Sequence, residues 1–295
     1  LTTSPFLNSS PILLRRWLGM GLFNLRQHAG VGQDEAAARL DVRRQTIGHY
    51  ESGRNLPSVG DLEALLDMYG ASDETEHYRA LRDGARRGEN WWQKVSQIPS
   101  WFDHYLGLES GAVRIDAFAP TFLPGLLQTK SYAQAMFSAD SAYAENSTRQ
   151  LISLRLGRRH IFERESRPAH LRVVVDESVL YRRQGSAEVM REQLSSLLSD
   201  MEHPQIALRI LPLDVGAFEG QLDYPFKLLS FPEEMVGDHG VVFVELLGDA
   251  RYYEEEGEIE LYEQAMERLF DVSGSLSDSR ELIQRAVKEL SSERG

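Results

Sequence analysis

Residues 33–54 concentrate side chains that can read the edges of bases. Arg43-Arg44-Gln45-Thr46 is followed one helical turn later by His49, with Gln33 upstream and Arg54 just downstream. A guanidinium can give two hydrogen bonds to guanine O6 and N7, and a glutamine amide can pair in the same bidentate way with adenine N6 and N7. A short helix over about 44–51 exposes Arg43, Arg44, Gln45, Thr46 and His49 and turns Ile47 and Tyr50 inward. Gln33 opens the preceding helix, where its amide and the helix N-terminus suit a phosphate. The same composition also describes an ordinary solvated face, so the surrounding register has to separate the two readings.

The flanking pattern supplies a scaffold. Ser10-Pro11 is a helix start, and Leu18, Leu22, Leu25 and Ala29 follow at helical spacing until Gly30 and Gly32. A second helix over 33–40 turns Ala36, Ala37 and Leu40 inward, and Asp41-Val42 is a tight connection. Ser58 and Asp61 open a fourth helix carrying Leu62, Leu65, Leu66 and Tyr69. Asp73 and Glu76 have capping-box spacing for a fifth, over about 74–87. Two short helices joined by a tight turn and wedged among three others make a helix-turn-helix, whose second helix lies in the major groove. The expectation is a flexible tail at 1–9 and an all-α five-helix domain at 10–88.

The run from Leu25 to Gly70 resembles the helix-turn-helix of Cro/repressor-type (XRE family) regulators, a lambda repressor-like fold. The matching positions are Leu25-Arg26, Ala29-Gly30, Gln33, Ala37, Leu40, Val42, Ile47, Glu51, Gly53, Pro57 and Gly70. The resemblance implies double-stranded DNA as the partner, with Gln33 on the backbone and Arg44, Gln45 and His49 on bases. Arg43, Thr46 and Arg54 complete the expected contacts. Glu51 would be structural, bonding Arg39 or nearby backbone. Two positions depart from the pattern. Asp41 stands where glycine is usual, and aspartate tolerates the left-handed conformation that the turn needs. Arg43 replaces the usual Ser or Thr cap, which forfeits about 1 kcal/mol and leaves an arginine for phosphate contact.

"RRGENWWQKVSQIPSW" (86–101) marks a change of composition. Beyond it lie strand-length β-branched or aromatic runs at 112–118, 171–176, 206–212, 226–231, 241–247 and 250–255, separated by helical stretches. Met190, Leu194, Leu197, Leu198 and Met201 form one apolar stripe, and helices over about 258–271 and 278–292 follow. Residues 89–295 therefore read as a mixed α/β domain. Its clusters each carry two readings. Trp91, Trp92 and Trp101 either line a ligand pocket or pack the linker against this domain. Arg149, Arg155, Arg158, Arg159, Arg164 and Arg167 read first as a solvated helix face paired with the acidic end of the chain, or else as an anion-binding surface. Asp176-Glu177 reads as a turn-forming pair before a catalytic one. The acidic run 252–264 is a solvated face or a dock for a basic partner.

"NWWQK", "LESGAVRIDAFAPTFLPGLLQTKSYAQAM", "RLGRRHIF" and "VVVDESVLYRRQGSAEVMREQL" resemble the C-terminal domain of unknown function DUF5753 found behind this kind of helix-turn-helix in actinobacterial regulators. Pro124–Thr129 is the most recognisable run, and it reads equally as a turn and helix start needed for folding. The resemblance implies a regulatory or partner-binding role. One variant is antitoxin-like, sequestering a small protein encoded nearby; another is a repressor answering to a small-molecule ligand.

Composition narrows the rest. There are no cysteines, and the eight histidines form no HExxH or His-x-His pair. No GxSxG elbow or P-loop is present, so a non-enzymatic role without cofactor or metal is expected. No apolar run approaches the roughly 18 residues of a membrane span and the N-terminus lacks a secretory pattern, so the reading is cytoplasmic, with no membrane partner. The net charge of −13 sits in the last third: residues 202–295 hold 21 acidic and 8 basic residues, whereas 1–201 hold 24 of each. Overall acidity thus does not oppose an anionic partner for the first domain. One short recognition helix is a small interface, so a homodimer on a palindrome is expected.

Overall fold

A computed structural model describes residues 9–88, 90–95, 98–139 and 145–292. Of the tail expected at 1–9, all but Ser9 lies outside the described residues. Packing divides the chain into two compact units. The first holds the chain up to 93 with 103–111 and 231–238, and the second holds 94–102, 112–230 and the chain from 239 onward. A single cut at 88/89 therefore does not follow the packing. The first helix is the reason. A Cβ on Gly107 or Gly111 would lie 2.4 Å from Ile12 Cδ1 or 2.0 Å from Leu13 Cδ2, so these glycines let 103–111 close on it. Arg16 holds 231–238 through two bonds of 2.9 Å to the buried Asp238 carboxylate.

The first unit contains α1 (Pro11–His28), α2 (Gln33–Leu40), α3 (Arg44–Glu51), α4 (Val59–Met68), α5 (Thr75–Arg87) and residues 103–109 of α6 (Ser100–Glu109). The Ser10 hydroxyl caps α1 by accepting from the Leu13 amide, with Pro11 in the first turn. Ser58 and Asp61 form a reciprocal capping box on α4. The box expected from Asp73 and Glu76 does not form. A 3-10 turn at Ser72–Glu74 takes up Asp73, and Glu74 precedes α5 without a side-chain cap bond.

The inward stripe of α1 is also corrected. Leu18 and Leu22 are buried, but Ala29 is exposed and Leu25 half-buried, while Arg26 is 6% exposed. A buried guanidinium needs compensation, and Glu51 provides it. Arg26 Nε and Nη2 donate to the two Glu51 oxygens at 2.5 and 3.1 Å, and Nη1 donates to the Val31 carbonyl at 2.9 Å. The Glu51 contact raises the Arg26 pKa. Gln33 Nε2 adds a third bond to Glu51, at 2.8 Å. Glu51 is structural, as expected, but its partners are Arg26 and Gln33; Arg39 instead sits 4.0 Å from Asp67. Backbone contact seats the same corner: a Cβ on Gly19 would lie 2.5 Å from the Glu51 carbonyl oxygen and 2.8 Å from the Gly53 amide.

The second unit is built on a six-stranded sheet ordered β3-β2-β1-β4-β5-β6. Its strands are β1 (Arg114–Ala119), β2 (His170–Asp176), β3 (Ile206–Leu211), β4 (Phe226–Ser230), β5 (Val241–Leu246) and β6 (Asp249–Tyr253). β1, β2 and β3 run parallel, and β4, β5 and β6 continue antiparallel from β1. Val173, Val174 and Val175 are wholly buried, as a parallel strand covered on both faces requires. The helices are α7 (Lys130–Ser138), α8 (Glu145–Gly157), α9 (Ser178–Tyr181), α10 (Ala187–Asp200), α11 (Glu256–Val272) and α12 (Leu276–Ser292). α11 places Ile259, Met266 and Leu269 against Phe118, Val174 and Phe226 on one face of the sheet. On that face the wholly buried Asp116 accepts both forks of Arg172 at 2.8 Å, and Arg172 reaches Glu267 of α11.

Four of the arginines in 149–167 correct the expectation of a solvated face, whereas Arg149 is exposed as that reading has it. Arg159 pairs with Asp200 at 2.7 Å, Arg155 donates to Gln128 Oε1 at 2.7 Å, and Arg158 is buried. Arg164 donates to the Ile161 and Ala112 carbonyls, and burial lowers its pKa. Asp176 does form a turn, its carboxylate accepting from the Ser178 amide at 2.9 Å, whereas Glu177 accepts from the distant Leu213 amide at 2.9 Å.

The Arg26–Glu51 pair carries a stability consequence, because removing one partner strands a buried charge. Glu51→Ala is expected to lower the unfolding free energy of the full chain by about 3 kcal/mol in urea denaturation. Asp34→Ala, which touches only an exposed 3.9 Å pair, should stay within about 0.5 kcal/mol. Equal effects would show that the buried pair does not organise the unit.

Candidate nucleic-acid interface

α2 and α3 are each eight residues long, too short to persist alone in water. The turn between them depends on Asp41, at φ 55° and ψ 43°, the left-handed conformation expected of it. α3 is then fixed from below. Ile47 is wholly buried, Tyr50 is 8% exposed, and the Tyr50 hydroxyl donates to Asp61 at 3.2 Å. Burial and the Asp61 charge raise the Tyr50 pKa, so it stays a neutral donor. Tyr69, beneath the same corner, is pushed up to about 12, mainly by burial and then by Glu51.

With the inner face so anchored, Arg43, Arg44 and Gln45 are exposed at the start of α3, and Arg54 just beyond its end. Arg43 occupies the cap position and makes no side-chain cap bond, as its replacement of Ser or Thr implies. Thr46 and His49 are half-buried, less open than their place on an exposed face suggests. Arg54 Nη1 lies 3.3 Å from His49 Nε2, which brings those two residues together.

Gln33 also has partners inside the unit. Its amide does not simply face outward. Nε2 donates to Glu51, and Oε1 accepts from Arg44 Nε at 3.2 Å. The residue bridges the buried clamp to the first arginine of α3. Arg44 also lies 3.9 Å from Asp34 with its side chain 67% exposed, so it is aimed but not immobilised.

Sequence reasoning missed Gly48. Helical spacing puts it on the same face as Arg44, Gln45 and His49. A Cβ there would meet nothing closer than Gln33 Nε2 at 4.0 Å. The outer face of α3 therefore has a flat centre flanked by long polar side chains. The signal was available in the spacing, since a glycine inside a two-turn helix costs stability and needs a reason.

The tryptophans divide between the units. Trp92 is buried in the first, where its Nε1 donates to Asp103 at 2.7 Å, so this part of the linker packs on the 103–111 segment. Trp101 belongs to the second unit and lines a cavity there. Among the described residues no group of acidic and histidine side chains is placed to hold a metal ion, and no helix is long and apolar enough to cross a membrane.

Comparison with known proteins agrees with this architecture. A family model described as a helix-turn-helix domain matches residues 17–78, from the middle of α1 through α4 to the start of α5, and it supports a DNA-binding regulator. A second, described as a domain of unknown function (DUF5753), matches residues 102–285. No curated protein and no solved structure matches the chain. With more than half its length matched by the second model, the chain belongs to the DUF5753 family and carries that domain behind a helix-turn-helix.

Proposed function

We propose that the protein is a sequence-specific transcriptional regulator that acts by binding and not by catalysis, with α3 seated in the major groove. One observation carries the reading: α3 is anchored on one face by Ile47, Tyr50 and Glu51 and presents Arg44, Gln45, Gly48 and His49 on the other. In this pose Arg44 and Gln45 address base edges in the first turn, where recognition helices read, and His49 follows one turn on. Arg43 and Arg54 reach phosphates, and Thr46 sits beside them near the backbone. Gln33 acts mainly by aiming Arg44. Gly48 lets the helix approach the floor of the groove.

One two-turn helix gives too little contact for useful specificity, so two copies bind half-sites about one helical turn apart. Residues 89–295 supply the dimer contacts and the surface that senses a signal or partner.

The operator can be obtained by sequencing genomic fragments retained by the purified full chain. Retention of none at low ionic strength would overturn the reading. On the recovered site, Arg44→Ala is expected to cost about 1–3 kcal/mol and to relax preference at one base pair, with little change on random DNA. Equal loss on both would remove Arg44 from base reading. Gly48→Ala should stabilise the chain to heat by about 0.5–1 kcal/mol, because the position is helical and open, yet weaken operator binding. Unchanged affinity would place this face away from the groove.

A further inference from the structure

The second unit encloses a cavity of about 490 Å³, within the range that holds small organic ligands. It lies at the carboxyl end of β1, where Ala117 and Ala119 line its side and Lys227 pairs in register with Ala117. The sheet explains why space remains. The chain leaves β1 for β2 on one side and returns from β3 to β4 on the other. Connections thus diverge at the β1/β4 boundary, the kind of switch point at which open sheets leave a crevice.

Two features define what the cavity accepts. Its wall is aromatic, formed by Trp101, Phe102 and Phe137, with Trp101 stacked on Phe243 of β5. Among the described lining residues its charged groups are unequal in sign: Arg155, Arg158 and Lys227 beside the carboxylate of Glu245. The guanidiniums are held in place. Arg155 lies 4.6 Å over the Phe137 ring and donates to Gln128, which in turn donates to the Leu123 carbonyl at 2.7 Å. Arg158 is 4% exposed and lies 5.7 Å over Phe102; a Cβ on Gly125 would come within 2.9 Å of its Nη1. The Pro124–Thr129 run and the 155–158 arginines, read separately in the sequence, thus meet at one site.

We infer that this cavity binds a small aromatic carboxylate, with its ring against the Trp101–Phe102–Phe137 wall and its carboxylate toward Arg155 and Arg158. Guanidinium–carboxylate pairing supplies direction, and the apolar wall supplies most of the burial. The inference deepens the sensing role proposed for residues 89–295. Its test needs no DNA, so it succeeds or fails apart from the DNA reading.

The full chain is titrated with benzoate, 2-naphthoate and anthracene-2-carboxylate, each beside its primary amide, following tryptophan fluorescence and thermal unfolding. At least one acid should saturably quench the fluorescence and raise Tm, with its amide weaker by at least about tenfold. Arg155→Gln and Arg158→Gln should each abolish that advantage, and Trp101→Phe should remove the quench while the Tm shift remains. If no acid saturates at millimolar concentration, if acid and amide bind alike, or if the quench survives Trp101→Phe, the inference is overturned. Should an arginine variant fail to fold, the acid–amide comparison on the unaltered chain decides the matter.

Discussion

The orientation of α3 depends on one buried ion pair. Arg26 reaches from α1 and Glu51 from the last turn of α3, and both side chains are 7% exposed. A two-turn helix has almost no rigidity of its own, so its direction is inherited from what holds its inner face. Ile47 and Tyr50 supply depth but slide easily, because apolar contact is non-directional. The bidentate pair is directional and locks rotation. Gln33 then carries that constraint to the outside, bonding Glu51 with its nitrogen and Arg44 with its oxygen. Arg44, the arginine proposed to read a base, is thereby linked to the core of the bundle through two hydrogen bonds. The close backbone approach at Gly19 closes the same corner from the other side.

The second unit solves a different problem with similar means. β1 lies at the centre of its sheet and carries Asp116 on the face under α11, where two arginines neutralise it. On the opposite face β1 carries only alanines toward its carboxyl end, and the space they leave is the cavity. One face is crowded and charge-paired; the other is hollow and rimmed with cations. Both follow from the alternation of Asp116 and Phe118 with Ala117 and Ala119 along a single strand.

Much of this was legible in the sequence because it rests on local rules. Ser10-Pro11, the Ser58–Asp61 box, the left-handed Asp41 and the six β-branched runs each declare themselves within a few residues. What was hidden was long-range. Arg26 looks polar and therefore outward until Glu51, 25 residues away, is known to face it. Ala29 shares the helical spacing of Leu18 and Leu22 and is nevertheless exposed. Asp73 and Glu76 have the spacing of a cap, but a 3-10 turn occupies their place, and spacing does not report backbone path. Arg155, Arg159 and Arg164 looked like part of a solvated face because their partners, Gln128, Asp200 and backbone carbonyls, are scattered through the chain. Residue type announces the chemistry, but pairing across the fold decides whether that chemistry faces in or out.

The uneven charge has a bearing on the interface. Residues 11–60 carry seven arginines and four acidic residues, an excess far smaller than the deficit of the last third. At physiological salt, exposed charges more than about 8 Å apart are largely screened. On the proposed reading, duplex DNA at α3 would therefore meet the local set, Arg43, Arg44 and Arg54 with Asp34 nearby, and not the net −13. Such a face can neutralise only a few phosphates, and non-specific affinity scales with that number. With a weak electrostatic term, discrimination rests on geometry, which is what a clamped helix with a flat glycine centre provides. The same weakness is the physical motive for the proposed pairing on two half-sites, because doubling the contact multiplies affinity without adding charge to either face.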